Sequence, residues 1–221
     1  MSIKRIKYHS IAPELTIPHP TPSSRMIPEW FRKMRPVTAD KIVSIKRCVP
    51  VLDAMTAGYI IPIPADVEYS NRDKKFRNPA EFEVVTSHAP SQIVGMPVTD
   101  EYDPQPWKFS NAFHIKTPKG YSTLFVHPLN HTNLPFHAFS GVVDTDKHPV
   151  VINFPFVIRK DFNGVIEAGT PMIQAIPFKR DDWKMEVKDT GKRYFYEKQF
   201  EVNNNDLGWY RSKWWVKKRS V

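Results

Sequence analysis

Two aspartates in the segment Ser140 to Asp146, SGVVDTD, have the residue type and the placement that acid–base chemistry requires. They directly follow a run of β-prone residues, which places both side chains on a turn at the end of a predicted strand. A carboxylate on such a turn acts as a general base when it lies beside a pocket with a suitable pKa. Aspartate also closes β-turns by hydrogen bonding to nearby backbone. Asp144 and Asp146 therefore have two interpretations, a catalytic base and a turn, and we favour the turn.

Other polar side chains could also do chemistry. The segment Gly164 to Phe178, GVIEAGTPMIQAIPF, is typical of a strand that buries a single glutamine, Gln174. Three histidines, at positions 127, 131 and 137, have the residue type of a zinc site. Their segment, HPLNHTNLPFH, contains two prolines and is typical of a loop. The four-residue spacing of His127 and His131 therefore does not place them on one face of a helix. We therefore predict no metal site.

The C-terminal tail, GWYRSKWWVKKRSV, interleaves aromatic and basic residues. Aromatic rings stack on bases or occupy a groove of a partner protein, and cations neutralise phosphates. Tryptophan is usually buried, however, so a terminal helix that packs on its own domain is the simpler interpretation. If the tail docks on a partner, the candidate contact residues are Trp209, Tyr210, Trp214 and Trp215.

The elements that position these residues are predicted to be strands. The 221 residues include 21 prolines and only 8 glycines, and proline breaks helix interiors. Proline spread between short apolar runs favours many short strands, so we predict an all-β class with short terminal helices. The alternation over Ile42–Arg47 predicts a strand, TPKG at Thr117–Gly120 predicts a turn, and KRYFYEKQFEV at Lys192–Val202 is interpreted as a further strand.

The chain divides into three predicted parts. Residues 1–40 form a proline-rich extended arm, in which PEWFRKM is expected to form one helical turn with Pro28 at its first position. Residues 41–180 form the β domain, with an insertion at about 71–106, and residues 181–221 form a C-terminal extension of strand and helix.

Composition narrows the range of partners. The net charge of +9 favours anionic partners, such as nucleotides or an acidic protein surface. One cysteine, Cys48, excludes an internal disulfide framework and fits a reducing compartment. The segment MSIKRIKYHS has no apolar core typical of a signal peptide, and no stretch has the apolar length of a membrane span. We therefore expect a cytoplasmic protein without a membrane partner.

Four segments, in order along the chain, resemble motifs of the trimeric dUTPase and dCTP deaminase superfamily. They are DAMTAGYIIPIPADVEY, IKTPKGYSTLFVHPLNH, SGVVDTD and IEAGTPMIQAIPF, and they cover roughly Ala54 to Phe178. The resemblance implies a β-roll or distorted jelly roll of the β-clip type and a homotrimer. It also implies a nucleotide site that includes Tyr121, Asn130, Asp144 and Gln174, with Asp144 as the base that activates water.

The sequence departs from this family at the positions that would do the chemistry. Lys147 stands where an aromatic residue stacks on the sugar, and Ile60 stands where an acid supports Mg²⁺. Leu129 and Asn130 replace an arginine and a serine that hold phosphate. The glycine-rich fifth motif has no counterpart. We therefore expect no cofactor, and Mg²⁺ only if the chain processes nucleotides.

The residues PW, KTPKGYS and GTP.IQ.IPFKR also resemble an uncharacterised family of tailed-phage proteins, mainly marine. This resemblance implies a phage origin, with the protein in the host cytoplasm or in the virion after assembly. Our prediction is a non-catalytic binding or assembly module that binds a phage structural or host protein. The alternative is a diverged deoxynucleotide-processing enzyme or a nucleotide-sequestering protein.

Overall fold

A computed structural model describes residues 4–189, 191–203 and 209–217 of the protein. In this part of the chain, fourteen strands form antiparallel sheets and the helices are few and short, which confirms the all-β class. The strands are β1 Lys7–Ser10, β2 Thr21–Pro22, β3 Tyr59–Pro62, β4 Val67–Ser70, β5 Lys75–Arg77, β6 Val85–Ser87, β7 Tyr102–Phe109, β8 Phe113–Lys116, β9 Tyr121–Val126, β10 Phe136–Ala138, β11 Gly141–Val143, β12 Phe154–Arg159, β13 Gly164–Ile166 and β14 Pro171–Lys179.

The helices lie mainly at the two ends of the chain and before β3. They are α1 Glu29–Lys33, α2 Val49–Thr56, α3 Lys192–Asn203 and α4 Trp209–Lys213, and short 3₁₀ turns cover Ser23–Arg25, Ile45–Arg47 and Pro90–Ile93. The predicted helical turn is confirmed as α1, but Pro28 is its N-cap, one position before the first helical residue, Glu29. Among the described helices, none combines the length and the apolar character needed to cross a bilayer.

The largest sheet has five strands in the order β11-β9-β14-β3-β2. Its central strand, β14, pairs with β3 on one side and with β9 on the other, so that Gln174 lies between Ile60 and Val126. The predicted TPKG turn is confirmed, since it joins β8 to β9. Because both edges of β14 are occupied, its side chains are fixed by neighbours on two sides.

A second sheet, β10-β12-β7-β6, covers the other side of the core, and two small sheets, β13-β4-β5 and β1-β8, complete the fold. Phenylalanine rings fill the space at this sheet: Phe109 and Phe156 stack with centroids 3.7 Å apart, and Phe136 meets both edge-on. All three rings are fully buried. Truncating such a ring to alanine typically costs about 3–5 kcal/mol, so this aromatic cluster is a main source of stability.

The proline-rich N-terminal segment contributes strands to two of the sheets. β1 pairs with β8 along its whole length, and β2 pairs with β3. Ile17 and Phe31 are buried, so the segment that carries β1, β2 and α1 packs on the β domain of its own chain, whereas residues 35–40 are exposed. The predicted insertion, residues 71–106, contains β5, β6 and the start of β7.

Two predicted strands were wrong. The segment Ile42–Arg47 is a loop that ends in a 3₁₀ turn, because the Ser44 side chain accepts a hydrogen bond from the Lys46 N–H. The Lys46 ammonium also donates to the carbonyls of Phe31 and Arg32 at the end of α1. The segment Lys192–Val202 lies in helix α3, where aromatic and charged residues follow one another without a clear period.

Candidate functional site

The two sequence-predicted aspartates lie on the turn that follows β11. The backbone N–H groups of Lys147 and His148 both donate to the Asp144 carbonyl, at 2.9 Å, which is the geometry of a tight turn. The Asp146 carboxylate points inward and its side chain is 2% exposed. It accepts from the Gly120 N–H at 2.8 Å and from the Arg180 guanidinium at 2.9 and 2.5 Å. Asp146 therefore fastens the β11 turn to the β8–β9 turn and to the end of β14.

Asp144 shares the same arginine but faces solvent. Its side chain is 53% exposed. Its Oδ1 accepts from the Ser122 hydroxyl at 2.6 Å and from Arg180 Nη1 at 3.1 Å. We call Ser122, Asp144, Asp146 and Arg180 the aspartate corner. Within it, one internal cation faces two carboxylates, so much of the negative charge that a metal ion would need is already neutralised.

These contacts set the protonation of both carboxylates. Hydrogen bonds from Arg180 hold the pKa of Asp146 well below its usual range, and the Gly120 N–H lowers it further. The hydrogen bond from Ser122 lowers the pKa of Asp144, and the charge of Arg180 adds to this effect. A carboxylate that holds its proton so weakly is a poor general base near neutral pH. The electrostatics of the corner therefore favour a structural role.

Thr145, between the two aspartates, ties the same turn to the core. Its hydroxyl is fully buried and lies 2.8 Å from the hydroxyls of both Thr117 and Thr123. The Thr117 hydroxyl also donates to the Tyr121 carbonyl at 3.1 Å. The three consecutive side chains of the segment DTD thus all form hydrogen bonds that hold this turn in place, as expected for a structural turn.

Gln174 is buried in β14, as the sequence predicted, and its amide is used within the fold. Its Nε2 donates to the carbonyls of Ala54 at 2.9 Å and Ala57 at 2.7 Å. Its Oε1 accepts from the Leu129 N–H at 2.9 Å. The side chain therefore joins the C-terminal end of α2 to the loop after β9. Both of its donor hydrogens are engaged, so a ligand would have to displace a backbone contact.

The four residues predicted for a nucleotide site fall into two groups. Tyr121 lies opposite Lys179 and adjoins the aspartate corner, whereas Gln174 lies opposite Val126. Five residues along a strand correspond to roughly 16 Å. Asn130 belongs to the group of Gln174: it lies in the loop after β9 with φ +63°, and its carbonyl accepts from the Trp30 indole at 2.9 Å.

The described residues do not fit a magnesium or zinc site. Ile60, at the position of the expected acid, is a buried apolar residue of β3. His127 and His137 have ring centroids 4.7 Å apart, but the His127 Nε2 contacts the His131 carbonyl at 3.3 Å instead of the His131 ring. No group of three His, Cys, Asp or Glu side chains in the described part of the chain is arranged to hold a metal ion.

The C-terminal aromatic residues have different environments. The Trp215 indole donates to Asp53 Oδ2 at 2.8 Å and is half-buried, so it anchors α4 on α2. Tyr210 and Trp214 are about half exposed. The Trp209 side chain lies outside the described residues. The sequence also predicts a helix cap at Asn205 or Asp206, and these two residues lie outside the described part of the chain as well.

Several strongly exposed apolar side chains lie just after β14. We call residues 181–203 the C-terminal arm. Its first part, residues 181–189, has no regular secondary structure and exposes Trp183, Met185 and Val187 by 92, 86 and 85%. Its helix, α3, exposes four further aromatic rings: Tyr194, Phe195, Tyr196 and Phe200. The signal that could have found this feature is the alternation of apolar and charged residues in WKMEVK, at positions 183–188, which is typical of a strand with one apolar face.

Comparisons with protein-family models, with curated proteins and with solved structures returned no significant match.

Proposed function

We propose that this chain is a non-catalytic binding and assembly module built on a dUTPase-like β-roll, and that it is a tailed-phage protein. The observation that carries the proposal is the C-terminal arm, whose bulky apolar side chains are exposed at alternate positions. Apolar surface of this kind marks an interaction site more often than a free surface. The arm is the part of the chain that a partner covers.

The energetics of the arm are sufficient for association. Burying a side chain such as Trp183, Met185 or Val187 is worth roughly 1.5–3 kcal/mol each, so the three together supply on the order of 6 kcal/mol. Ordering the arm and losing rigid-body freedom offset part of this sum. The aromatic rings of α3 add further apolar area. The net result is a reversible association that depends on protein concentration.

The partner that the charges favour is a second copy of this chain. Residues 181–189 carry four carboxylates and two lysines, a net charge of −2, whereas the whole chain carries +9, so its remainder carries +11. This acidic segment of the arm is attracted to such a basic body. β11 offers a place for it as an edge strand of the five-stranded sheet, with Val142 60% exposed. We propose a homotrimer, either in the host cytoplasm or as part of the virion.

The aspartate corner supports the non-catalytic interpretation. Asp144 is exposed on a turn, Asp146 is held by Arg180, and the amide of Gln174 is occupied by backbone groups. A nucleotide-processing enzyme needs preorganised cations for the phosphates and a base of suitable pKa. The single arginine at the corner already serves the two carboxylates of its own chain.

The assembly proposal is tested by sedimentation velocity over a range of protein concentrations. The full-length chain is expected to form a trimer. A variant with Trp183→Ser, Met185→Ser and Val187→Ser is expected to remain a monomer. The matched control replaces the intervening charged residues, Lys184, Glu186 and Lys188, with serine and is expected to assemble. An apolar variant that assembles as the natural chain does would overturn the proposal.

The non-catalytic part is tested separately. The chain is incubated with dUTP or dCTP and Mg²⁺, and release of pyrophosphate or ammonia is followed. We expect no turnover above the background. Turnover that disappears in Asp144→Asn would instead establish the enzymatic alternative. Thermal shifts with the same nucleotides test whether the chain sequesters them without hydrolysis.

A further inference from the structure

A cavity lies on the side of α2 that faces the C-terminal helix α4. It has a volume of about 530 Å³. Val49 and Leu52 line it from α2, and Tyr210 and Trp215 line it from the C-terminal segment. The hydrogen bond from Trp215 to Asp53, at 2.8 Å, holds these two distant parts of the chain together. The walls are therefore apolar and aromatic, and they are fixed by a polar contact next to the cavity.

The charged side chains that line this cavity have one sign. Lys46, Arg47 and Arg211 line it, and no carboxylate does so among the described residues. Lys46 is occupied by backbone carbonyls at the end of α1. Arg47 and Arg211 are exposed, and neither forms an ion pair with a described residue. The Arg211 guanidinium lies 5.7 Å from the Trp215 ring centroid, beside the aromatic wall. The cavity thus combines apolar walls with two guanidinium groups that form no ion pair within the described part of the chain.

We propose that this cavity binds a planar aromatic ring that carries a phosphate, the chemistry of a nucleoside monophosphate. Cavities of about 300–1,000 Å³ with mainly apolar walls and a few polar groups are typical of small-molecule sites. The ring packs between the aromatic side chains and Leu52. Arg47 and Arg211 bind the phosphate, for which guanidinium groups are suited by their charge and forked geometry. This site shares no residue with the aspartate corner or the C-terminal arm, so it is independent of the proposed function.

The one cysteine of the chain provides a direct test. Cys48 is exposed and lines the cavity, so a bound ligand shields its thiol from alkylation. The rate of labelling by iodoacetamide, a neutral reagent, is measured with increasing AMP. Labelling is expected to slow by about tenfold at a concentration about ten times the dissociation constant, because only the free protein reacts. Adenosine lacks the anion and inorganic phosphate lacks the ring, and each is expected to protect the thiol much less.

Two pairs of substitutions separate the cavity from general attraction to a basic protein. Arg47→Gln with Arg211→Gln is expected to abolish protection by AMP. Arg77→Gln with Arg159→Gln removes the same charge from remote strands and is expected to preserve it. For each variant, the labelling rate with AMP is divided by the rate without AMP. A change in the intrinsic reactivity of Cys48 therefore does not affect the comparison. The proposal is overturned if AMP gives no protection, if phosphate alone protects equally, or if both variant pairs lose protection to the same extent.

Discussion

At the scale of single residues, Asp144 and Asp146 are two apart in sequence and contact the same arginine, yet they have different consequences for the fold. The Asp146 side chain is 2% exposed and bonds to Arg180 and to the Gly120 backbone, whereas that of Asp144 is 53% exposed. Removing one partner of an inward-facing charged contact leaves the other without compensation, which is costlier than the same change at the surface.

We therefore expect Asp146→Asn to lower the unfolding temperature clearly more than Asp144→Asn. Because the pKa of Asp146 is lowered by folding, its stabilising effect is present above the ordinary pKa of aspartate, about 4, and is lost as the pH falls further. Thermal unfolding of both variants at pH 7 measures the difference. Asp161→Asn, at an exposed carboxylate paired with Arg159, serves as the control for loss of a surface ion pair. Equal effects of all three changes would contradict the structural role of Asp146.

A second prediction at this scale concerns His127. Burial and the neighbouring His137 lower the pKa of His127 from 6.5 to about 4. Between pH 6.5 and pH 4, this histidine binds a proton in the unfolded chain but not in the folded chain. The free energy of unfolding therefore falls as the pH decreases from 6.5 towards 4. Between pH 7.5 and pH 4.5 we expect this residue to account for a loss of about 2–3 kcal/mol in the free energy of unfolding.

Urea unfolding of the natural chain and of His127→Gln at both pH values checks this expectation. The substitution removes the titrating group while keeping a hydrogen-bonding side chain, so the pH dependence is expected to become weaker. His131 and His137 also have pKa values lowered by burial, and some pH dependence therefore persists. His9→Gln, at an exposed position in β1, is the control for replacing a histidine with glutamine. A natural chain whose stability did not change between the two pH values would contradict the prediction.

The sequence could identify these residues but not their partners. It predicted that Gln174 is buried in a strand, because one polar residue interrupts an apolar run. The groups that its amide contacts come from Leu129, Ala54 and Ala57, which are 45, 120 and 117 residues away. Arg180 likewise reaches Asp146 over 34 residues. Such contacts depend on strand register, which a local pattern does not specify.

At the scale of elements, the predictions that were confirmed depend on local signals. The TPKG turn and the Pro28 helix start are determined by backbone preferences of the residues involved. The strand predicted over Ile42–Arg47 was wrong because Lys46 finds its partners on α1, a tertiary contact that competes with pairing. The strand predicted over Lys192–Val202 was wrong because a short run of aromatic residues fits the two-residue period of a strand and the 3.6-residue period of a helix equally well.

Gly58 shows how closely two elements approach each other. It joins α2 to β3 with φ +65°, and a Cβ at this position would lie 2.1 Å from the Ala175 carbonyl oxygen of β14. Backbone atoms of a central strand cannot move aside without breaking the pairing with β3 and β9. We expect Gly58→Ala to destabilise the chain by more than about 4 kcal/mol, or to prevent folding.

Gly95→Ala is the matched control for this change. Gly95 has φ +83° but open space around the added methyl group, so it carries the backbone strain without the clash. That strain is expected to cost only about 1–2 kcal/mol. Urea unfolding of both variants separates the two effects. A similar loss of stability at the two positions would show that φ, and not the approach of β14, makes glycine necessary at position 58.

At the scale of the whole molecule, the N-terminal and C-terminal segments behave differently although the sequence predicts extensions at both ends. Residues 7–10 pair with β8, and Phe31 is buried, so the N-terminal segment is part of the folded body. Residues 181–189 lie outside every described strand and are exposed throughout. Local opening requires little free energy where few buried contacts and backbone hydrogen bonds must break.

Limited proteolysis should report this difference. In dilute solution, trypsin is expected to cut first after Lys184 or Lys188, both exposed in the part of the arm that has no regular secondary structure. Arg180, just before it, is shielded because its guanidinium is held in the aspartate corner. Mass spectrometry should therefore show a stable fragment that ends within the arm. First cuts within the sheets, at Lys108 of β7 or Arg159 of β12, would contradict the division into body and arm.

The dependence of tryptic cleavage on protein concentration tests whether the arm docks on a second copy of the chain. If the arm docks on a second copy, cleavage slows as the protein concentration rises, because the docked arm is not available to the protease. The variant with Trp183→Ser, Met185→Ser and Val187→Ser should lose this dependence and be cut at the dilute rate at all concentrations. The charged-position variant, with serine at Lys184, Glu186 and Lys188, lacks two of the cleavage sites and is followed instead by chymotrypsin cleavage after Trp183. An arm cleaved at one rate at every concentration would contradict docking on a second copy of this chain.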